Sequence, residues 1–350
     1  MGGAQAHVLD LISGLSPQCE PLLATGEKDF LADEALKLGI ECFFLPELVR
    51  PVSPWKDLLA TRSLLGLIRA TRPVLTHVHT SKAGMVGRFA SRAAGVPSVY
   101  TVHLWPFEDG TGLTRAIGVP LERLTARFTS RIITVSDATR QTGLRFGIGR
   151  EDQLVTIHNG ISDTPFRARL AVTARPKIAV VARFVDQKDH VTLLRAVAGM
   201  TGRPQILFIG DGPRLVDVRS LCENLGLSAT CEFAGERRDV PQILAGCDLF
   251  VLPTNWEGFP LSILEAMRAG LPVIATDVGG NREAVAHEMT GLLTPHQDVA
   301  AMRQAIESLC SSFERRVQFG RAGRRRFLEY FSREQMLSRT LDVYQSVSSN

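Results

Sequence analysis

Two runs of alternating strand and helix patterns, separated by a short polar stretch, predict an α/β protein with two doubly wound parallel-sheet domains. Short apolar runs rich in Val and Ile recur through the chain and read as strands buried on both faces. The segments between them carry apolar residues at helical spacing and often close on glycine. In the first run, residues 74–79, 98–103, 131–136 and 155–160 are the expected strands, and 83–94 is a helix ended by Gly95. Residues 165–176 are polar and patternless and read as an interdomain linker. The alternation then restarts, with strands at 177–182, 205–210, 230–235, 248–253 and 272–276 and helices at 191–200 and 215–225. A last helix is expected over 333–347. The expected domains are thus 1–164 and 165–332, followed by a terminal segment, 333–350.

At 350 residues the chain is long enough for two cores. With 45% hydrophobic and 22% charged residues it has an ordinary soluble composition. No apolar run approaches the ~20 residues that span a bilayer, and the first residues do not form a signal peptide. Cys19, Cys42, Cys222, Cys231, Cys247 and Cys310 are scattered without a CxxC pair. They read as reduced thiols of a cytoplasmic protein, and no metal site is expected. The net charge of +4 is unevenly spread: residues 1–50 hold three basic and eight acidic side chains, residues 51–150 fourteen and five. The basic block suits an anionic partner or, equally, a set of solvated helix faces. It lacks the aromatic platform or motif of a nucleic-acid binder, so no nucleic-acid partner is expected.

The strongest chemical signal is the pair Glu257 and Glu265. The first lies in the loop after an apolar strand and the second early in a short helix ended by Gly270. Both therefore sit at the rim where open α/β sheets bind ligands. Gly258 and Pro260 suit a turn into a helix, whose leading N–H groups favour an anion. Arg183 follows the strand at 177–182 and Lys188 opens the next helix, two cations placed to meet negative charge. Gly210-Asp-Gly-Pro213 is a strand-to-helix turn. It is not a nicotinamide fingerprint, because Leu215 stands where the third glycine belongs. His103 ends a strand in the first run, and His77 and His79 share one strand face, with Lys82 in the loop beyond. Residues 55–69 are amphipathic and basic, as either a membrane-surface helix or a helix packed on a sheet would be.

These segments, in this order over nearly the whole chain, resemble the retaining glycosyltransferases of family 4. The resemblance implies the GT-B architecture, two Rossmann-like domains facing across a cleft, with the last helix crossing back onto the first domain. It implies a nucleotide-sugar donor, UDP-linked by expectation, with no cofactor and no metal. Arg183 and Lys188 would grip the donor's phosphates, Glu257 would face the transferring sugar, and Glu265 would hold the ribose hydroxyls. Gly210, Gly212, Gly258, Phe259, Pro260, Leu261 and Ser262 would line the donor, with Arg237 beside the base. His103 would contact the sugar, and here Leu104 stands where the subgroup usually has glycine. Gly2, Gly3, His79 and Lys82 would face the acceptor, expected to be a polyprenyl-diphosphate-linked glycan or an envelope polysaccharide. A peripheral position on the inner face of the membrane would follow. The family also has a strand before the glycine pair that is not found ahead of Gly2. A nucleotide-sugar epimerase and a catalytically impaired nucleotide-sugar-binding protein are the alternatives.

Overall fold

The computed structural model describes residues 2–49, 51–108 and 112–348. The chain divides into two compact units. The first runs to Gly160 and resumes at Arg333, and the second comprises Ile161–Ser332. The first contains, in order, α1 (Gly3–Leu15), β1 (Leu22–Thr25), α2 (Phe30–Lys37), β2 (Glu41–Phe44), α3 (Pro54–Thr71) and β3 (Thr76–His79). It continues with α4 (Ser81–Ala94), β4 (Ser98–Val102), α5 (Gly112–Ala126), β5 (Arg131–Thr134), α6 (Asp137–Arg145) and β6 (Leu154–Thr156). The second unit contains β7 (Lys177–Val181), α7 (His190–Ala198), β8 (Gln205–Ile209), α8 (Leu215–Asn224), β9 (Cys231–Phe233), α9 (Val240–Ala245) and β10 (Leu249–Leu252). It ends with α10 (Leu261–Ala269), β11 (Val273–Thr276), α11 (Asn281–Ala284), β12 (Gly291–Thr294), α12 (Val299–Ser311) and α13 (Phe313–Tyr330). A last helix, α14 (Arg333–Ser348), belongs to the first unit.

In the first unit β3, β4, β5 and β6 form a parallel sheet in chain order, and β1 pairs in parallel with β2 in a separate sheet. Leu11 and Leu15 of α1 and Met336, Val343 and Val347 of α14 close over Val99, Ile133 and Ile157. The Gly160 N–H donates to Met336 Sδ at 3.2 Å. Trp105 and Phe107 are fully buried in a second cluster, and Trp105 Nε1 donates to the Thr139 carbonyl at 2.8 Å.

A charge pair is buried in the same unit. Arg88 Nη2 lies 2.8 Å from Glu122 Oε2, and its guanidinium stands 4.1 Å from the centre of the Tyr100 ring. The two side chains are 0% and 4% exposed. Burial pushes the Glu122 carboxyl up, and Arg88 opposes that rise.

The second unit is one six-stranded parallel sheet in the order β12-β11-β10-β7-β8-β9. Counted from β7, this is the doubly wound order in which the chain winds one way from the first strand and the other way from the fourth. The switch falls between β7 and β10, registered by Ile178 opposite Leu249 and Ala179 opposite Phe250. Both faces are apolar: Ile178, Val180, Phe208, Val251 and Ile274 pack with Leu193, Val197 and Ile306 on one, and Ala179, Leu207, Phe250 and Val273 are buried on the other.

Residues 165–176 are not a free linker. The Ala168 N–H donates to the Ala269 carbonyl at 2.8 Å, and buried Arg316 reaches the Ala171 carbonyl at 3.0 Å. The second unit thus supplies partners for backbone groups of this segment.

Removing one member of a buried ion pair strands the other. Arg88→Met is therefore expected to destabilise the first unit by about 3–5 kcal/mol, read as a lowered urea midpoint. The double variant with Glu122→Leu should recover most of the loss.

Candidate functional site

The switch point between β7 and β10 gathers the residues marked in the second half. Beyond β7 the chain turns through Arg183 to Lys188 before α7, which Asp189 caps by accepting from the Thr192 N–H at 3.1 Å. Beyond β10 it turns through Thr254 to Pro260 before α10. The two turns are zipped together. The Asp189 N–H donates to the Pro253 carbonyl at 3.1 Å and the Asn255 N–H to the Gln187 carbonyl at 2.8 Å. Gln187 Nε2 donates to the Trp256 carbonyl at 2.9 Å, and buried Thr254 Oγ1 donates to the Gln187 carbonyl at the same distance.

This lacing brings Lys188 Nζ into an ion pair with Glu257 Oε1, with side-chain exposures of 12% and 9%. Burial lowers the Lys188 ammonium to about 7, the neighbouring carboxylate notwithstanding. An arriving anion opposes that effect and favours the charged ammonium. Arg183 stands exposed at the mouth of the β7 turn.

Glycines set the shape of the rim. Gly210 and Gly212 have φ of 142° and 157°, and a Cβ at either would overlap the Ala182 or Phe184 carbonyl oxygen. Gly279, after β11, has φ 49°, and a Cβ there would overlap the Glu257 carbonyl oxygen. The next N–H, of Gly280, donates to the Gly258 carbonyl at 3.0 Å. The β11 loop thereby props the turn that carries Glu257. Gly279, Thr254 and Gln187 were missed by sequence reasoning, although Asp277-Val-Gly-Gly280 follows an apolar run as the marked glycines do.

No side chain caps α10, which begins after Pro260, so its leading N–H groups face outward beside Glu257. Phe259 is 4% exposed and packs against Phe331 at 5.3 Å between ring centres, anchoring the turn in the core. Gly258 and Pro260 are buried with it, while Leu261 and Ser262 are half-buried. Glu265 makes no hydrogen bond among the described residues; burial raises its carboxyl, and Arg268 opposes that. Arg237 lies in the turn beyond β9, where its fork is taken by Asp239 at 2.8 and 2.7 Å.

The marked residues of the first unit gather at the carboxyl ends of β3 and β4. His79 is the last residue of β3, and His103 follows β4. His79 Nδ1 lies 3.4 Å from His103 Nε2. Buried His7 of α1, not singled out by sequence, completes the group, its ring centre 4.9 Å from that of His103 and 5.5 Å from that of His79. His77 packs on His79 at 4.2 Å, and is pinned by Tyr344 Oη at 2.5 Å and Thr101 Oγ1 at 2.7 Å. Burial holds all four rings neutral, His103 down to about 4 and His77 to about 3. Thr80, next after His79, has φ 64°, a conformation that costs a β-branched residue strain. Lys82 is committed to Asp57 at 2.6 Å and to the Pro51 carbonyl, tying α4 to α3. Gly2 is extended ahead of α1, its N–H bonded to Gln5 Oε1 at 2.9 Å, and Gly3 is exposed.

Two parallel-sheet units, one with charged groups and an uncapped helix end at its switch point, define a transferase of the GT-B class. Residues 163–326 match the glycosyl transferases group 1 and residues 2–160 the glycosyl transferase 4-like domain. The chain is 30% identical over 297 residues to the UDP-Gal:alpha-D-GlcNAc-diphosphoundecaprenol alpha-1,3-galactosyltransferase of Escherichia coli, covering 79% of this chain and 76% of that protein. It is 27% identical to the alpha-maltose-1-phosphate synthase of Mycolicibacterium smegmatis, over 99% and 96% of the two chains. The crystal structure of Anabaena HepE with UDP and glucose superposes with a TM-score of 0.86 at 22% identity, over 99% of this chain and 96% of that one. The protein belongs to the family 4 glycosyltransferases.

Gly279→Ala would force both strain and overlap on the turn carrying Glu257. It is expected to destabilise the second unit by roughly 1–3 kcal/mol, seen as a lowered thermal midpoint.

Proposed function

We propose that the protein transfers a hexosyl or N-acetylhexosaminyl unit, with retention, from a UDP-sugar to a lipid-linked or envelope glycan. The observation that carries this reading is buried Lys188, paired with Glu257 beside the uncapped end of α10, on which Glu265 has no hydrogen-bond partner among the described residues. In this reading the diphosphate lies against Lys188, Arg183 and the leading N–H groups of α10, with no metal. Glu265 accepts from the ribose diol, a geometry a carboxylate serves with two acceptor oxygens. Glu257 turns from Lys188 toward the sugar.

As the bond from the anomeric carbon to phosphate breaks, the acceptor oxygen attacks from the same face and its proton passes to the departing phosphate oxygen. Lys188 and Arg183 stabilise the charge that develops there. His103, held neutral, accepts from or donates to a sugar hydroxyl. His79 and the Gly2–Gly3 backbone serve the acceptor; Lys82 is already occupied by Asp57. The galactosyltransferase of Escherichia coli names a UDP-sugar and a diphosphoundecaprenol acceptor, which supports this choice of substrates.

Membrane contact belongs to the same reading. Among the described residues no helix is long and apolar enough to cross a membrane. On α3, Ala60 and Ile68 are buried, whereas Trp55 is 70% exposed and Leu58 51%, with Arg62 and Arg69 continuing the outer stripe. An aromatic anchor flanked by arginines fits an anionic lipid surface. Sedimentation with phosphatidylglycerol vesicles should recover the protein, and Trp55→Ser should release it. Recovery unchanged by the substitution would remove α3 from the contact.

Calorimetry with UDP-, GDP- and ADP-sugars tests the donor site. One nucleotide should bind, and Glu265→Ala should abolish that binding; binding undiminished in the variant would overturn the ribose assignment. Rising pH discharges Lys188 above about 7, so donor affinity should weaken from pH 7 toward 9, with proton uptake on binding. Lys188→Arg should flatten that dependence, and Lys188→Met should lower kcat about 10²–10³-fold. Product analysis with a polyprenyl-diphosphate-linked sugar then distinguishes transfer from release of free sugar.

A further inference from the structure

We propose that His7, His79 and His103 form a site for a divalent transition-metal ion of the zinc type; on the reading above, His79 Nε2 and His103 Nδ1, the nitrogens not turned to the ion, remain for the acceptor and the sugar. The three come from α1, the end of β3 and the turn after β4. One ring nitrogen of each lies within 4.8 Å of those of the other two. The separation of His79 Nδ1 and His103 Nε2, 3.4 Å, is that of two corners of a tetrahedral set. Zinc–nitrogen bonds of about 2.0–2.1 Å place tetrahedral ligand atoms about 3.3–3.4 Å apart.

Unmet hydrogen-bonding capacity points the same way. His7 is 4% exposed, and its Nδ1 has no hydrogen-bond partner. A buried lone pair without a donor costs free energy that a coordinated cation would offset. A direct His79–His103 hydrogen bond satisfies those two nitrogens, and Asn159 meets the His7 ring, but His7 Nδ1 is left over.

The surroundings hold the rings as a ligand set requires. His77 packs on His79 and is itself fixed by Tyr344 and Thr101. Such supporting contacts orient imidazoles toward a metal. The backbone strain at Thr80 falls directly after His79, where the chain is held in place by its neighbours. His79 and His103 are only partly buried, so an ion can enter and a fourth position stays open to water or an anion. Three imidazoles without a carboxylate or thiolate favour zinc, cobalt, nickel or copper over magnesium or calcium.

The test uses the full chain, stripped with chelator and titrated with Co²⁺. One equivalent should bind with the intense visible bands of a tetrahedral ion, and Zn²⁺ should displace it at the same stoichiometry. His7→Phe, His79→Gln and His103→Gln should each weaken binding by more than about 100-fold while circular dichroism stays unchanged. A pale octahedral spectrum, or the absence of saturation at one equivalent in the unaltered protein, would overturn the proposal whether or not the variants fold. Undiminished binding in the folded variants would do the same.

Discussion

The chain leaves β7 and β10 in opposite directions, and the rest of the second unit is organised around that divergence. Neighbouring parallel strands normally hand their loops to the same side, where the loops cover one another. At a reversal the loops part and leave strand ends, helix ends and buried polar groups open to a ligand. The Lys188–Glu257 pair joins the two loops that leave these adjacent strand ends. Thr254, Gln187 and Asp189 lace them together, and Gly279 lets a third loop brace the second. An apolar sheet then surrounds a small polar region in which a lysine and a carboxylate are held together out of water.

What could be read in the amino-acid sequence was what local pattern encodes. Glu257, Glu265, Arg183 and Lys188 follow apolar runs, and a charge after a buried parallel strand has few places to go. The glycines at 210 and 212 could be found because turns announce them. The His7 group was hidden by distance along the chain: its members sit on three elements, and none has a ligand spacing of its own. Gly279 was passed over because its reason is a carbonyl on another loop. At 165–176 composition does not show which backbone groups are bonded, since Ala168 and Ala171 find their partners far along the chain. The strands ending at His79 and Thr276 were bounded correctly at that end, and the other seven were carried one to four residues into the following loop.

The basic block at 51–150 shows how a count of charges overstates a surface. Arg88 is buried against Glu122 and Tyr100, Arg123 donates to the Phe146 carbonyl at 2.6 Å, and Arg140 reaches the Leu154 carbonyl and Glu151. Lys82 is occupied by Asp57. These four of the fourteen basic residues close the framework of the first unit. Others stay exposed, Arg62 and Arg69 on α3 and Arg92, Arg115, Arg127 and Arg145 elsewhere.

The return of α14 has a consequence for how the protein is made. Its Met336, Val343 and Val347 complete a core begun by Leu11 and Leu15, so the two halves of that core are separated by an entire inserted unit. During synthesis the contiguous second unit emerges whole and is free to fold while the ribosome is still at work. The earlier segment must hold its apolar surface open until the helix that covers it has left the exit tunnel. Chain order and folding order are therefore inverted, and the first-made part of the molecule is the longest exposed to aggregation and to chaperones.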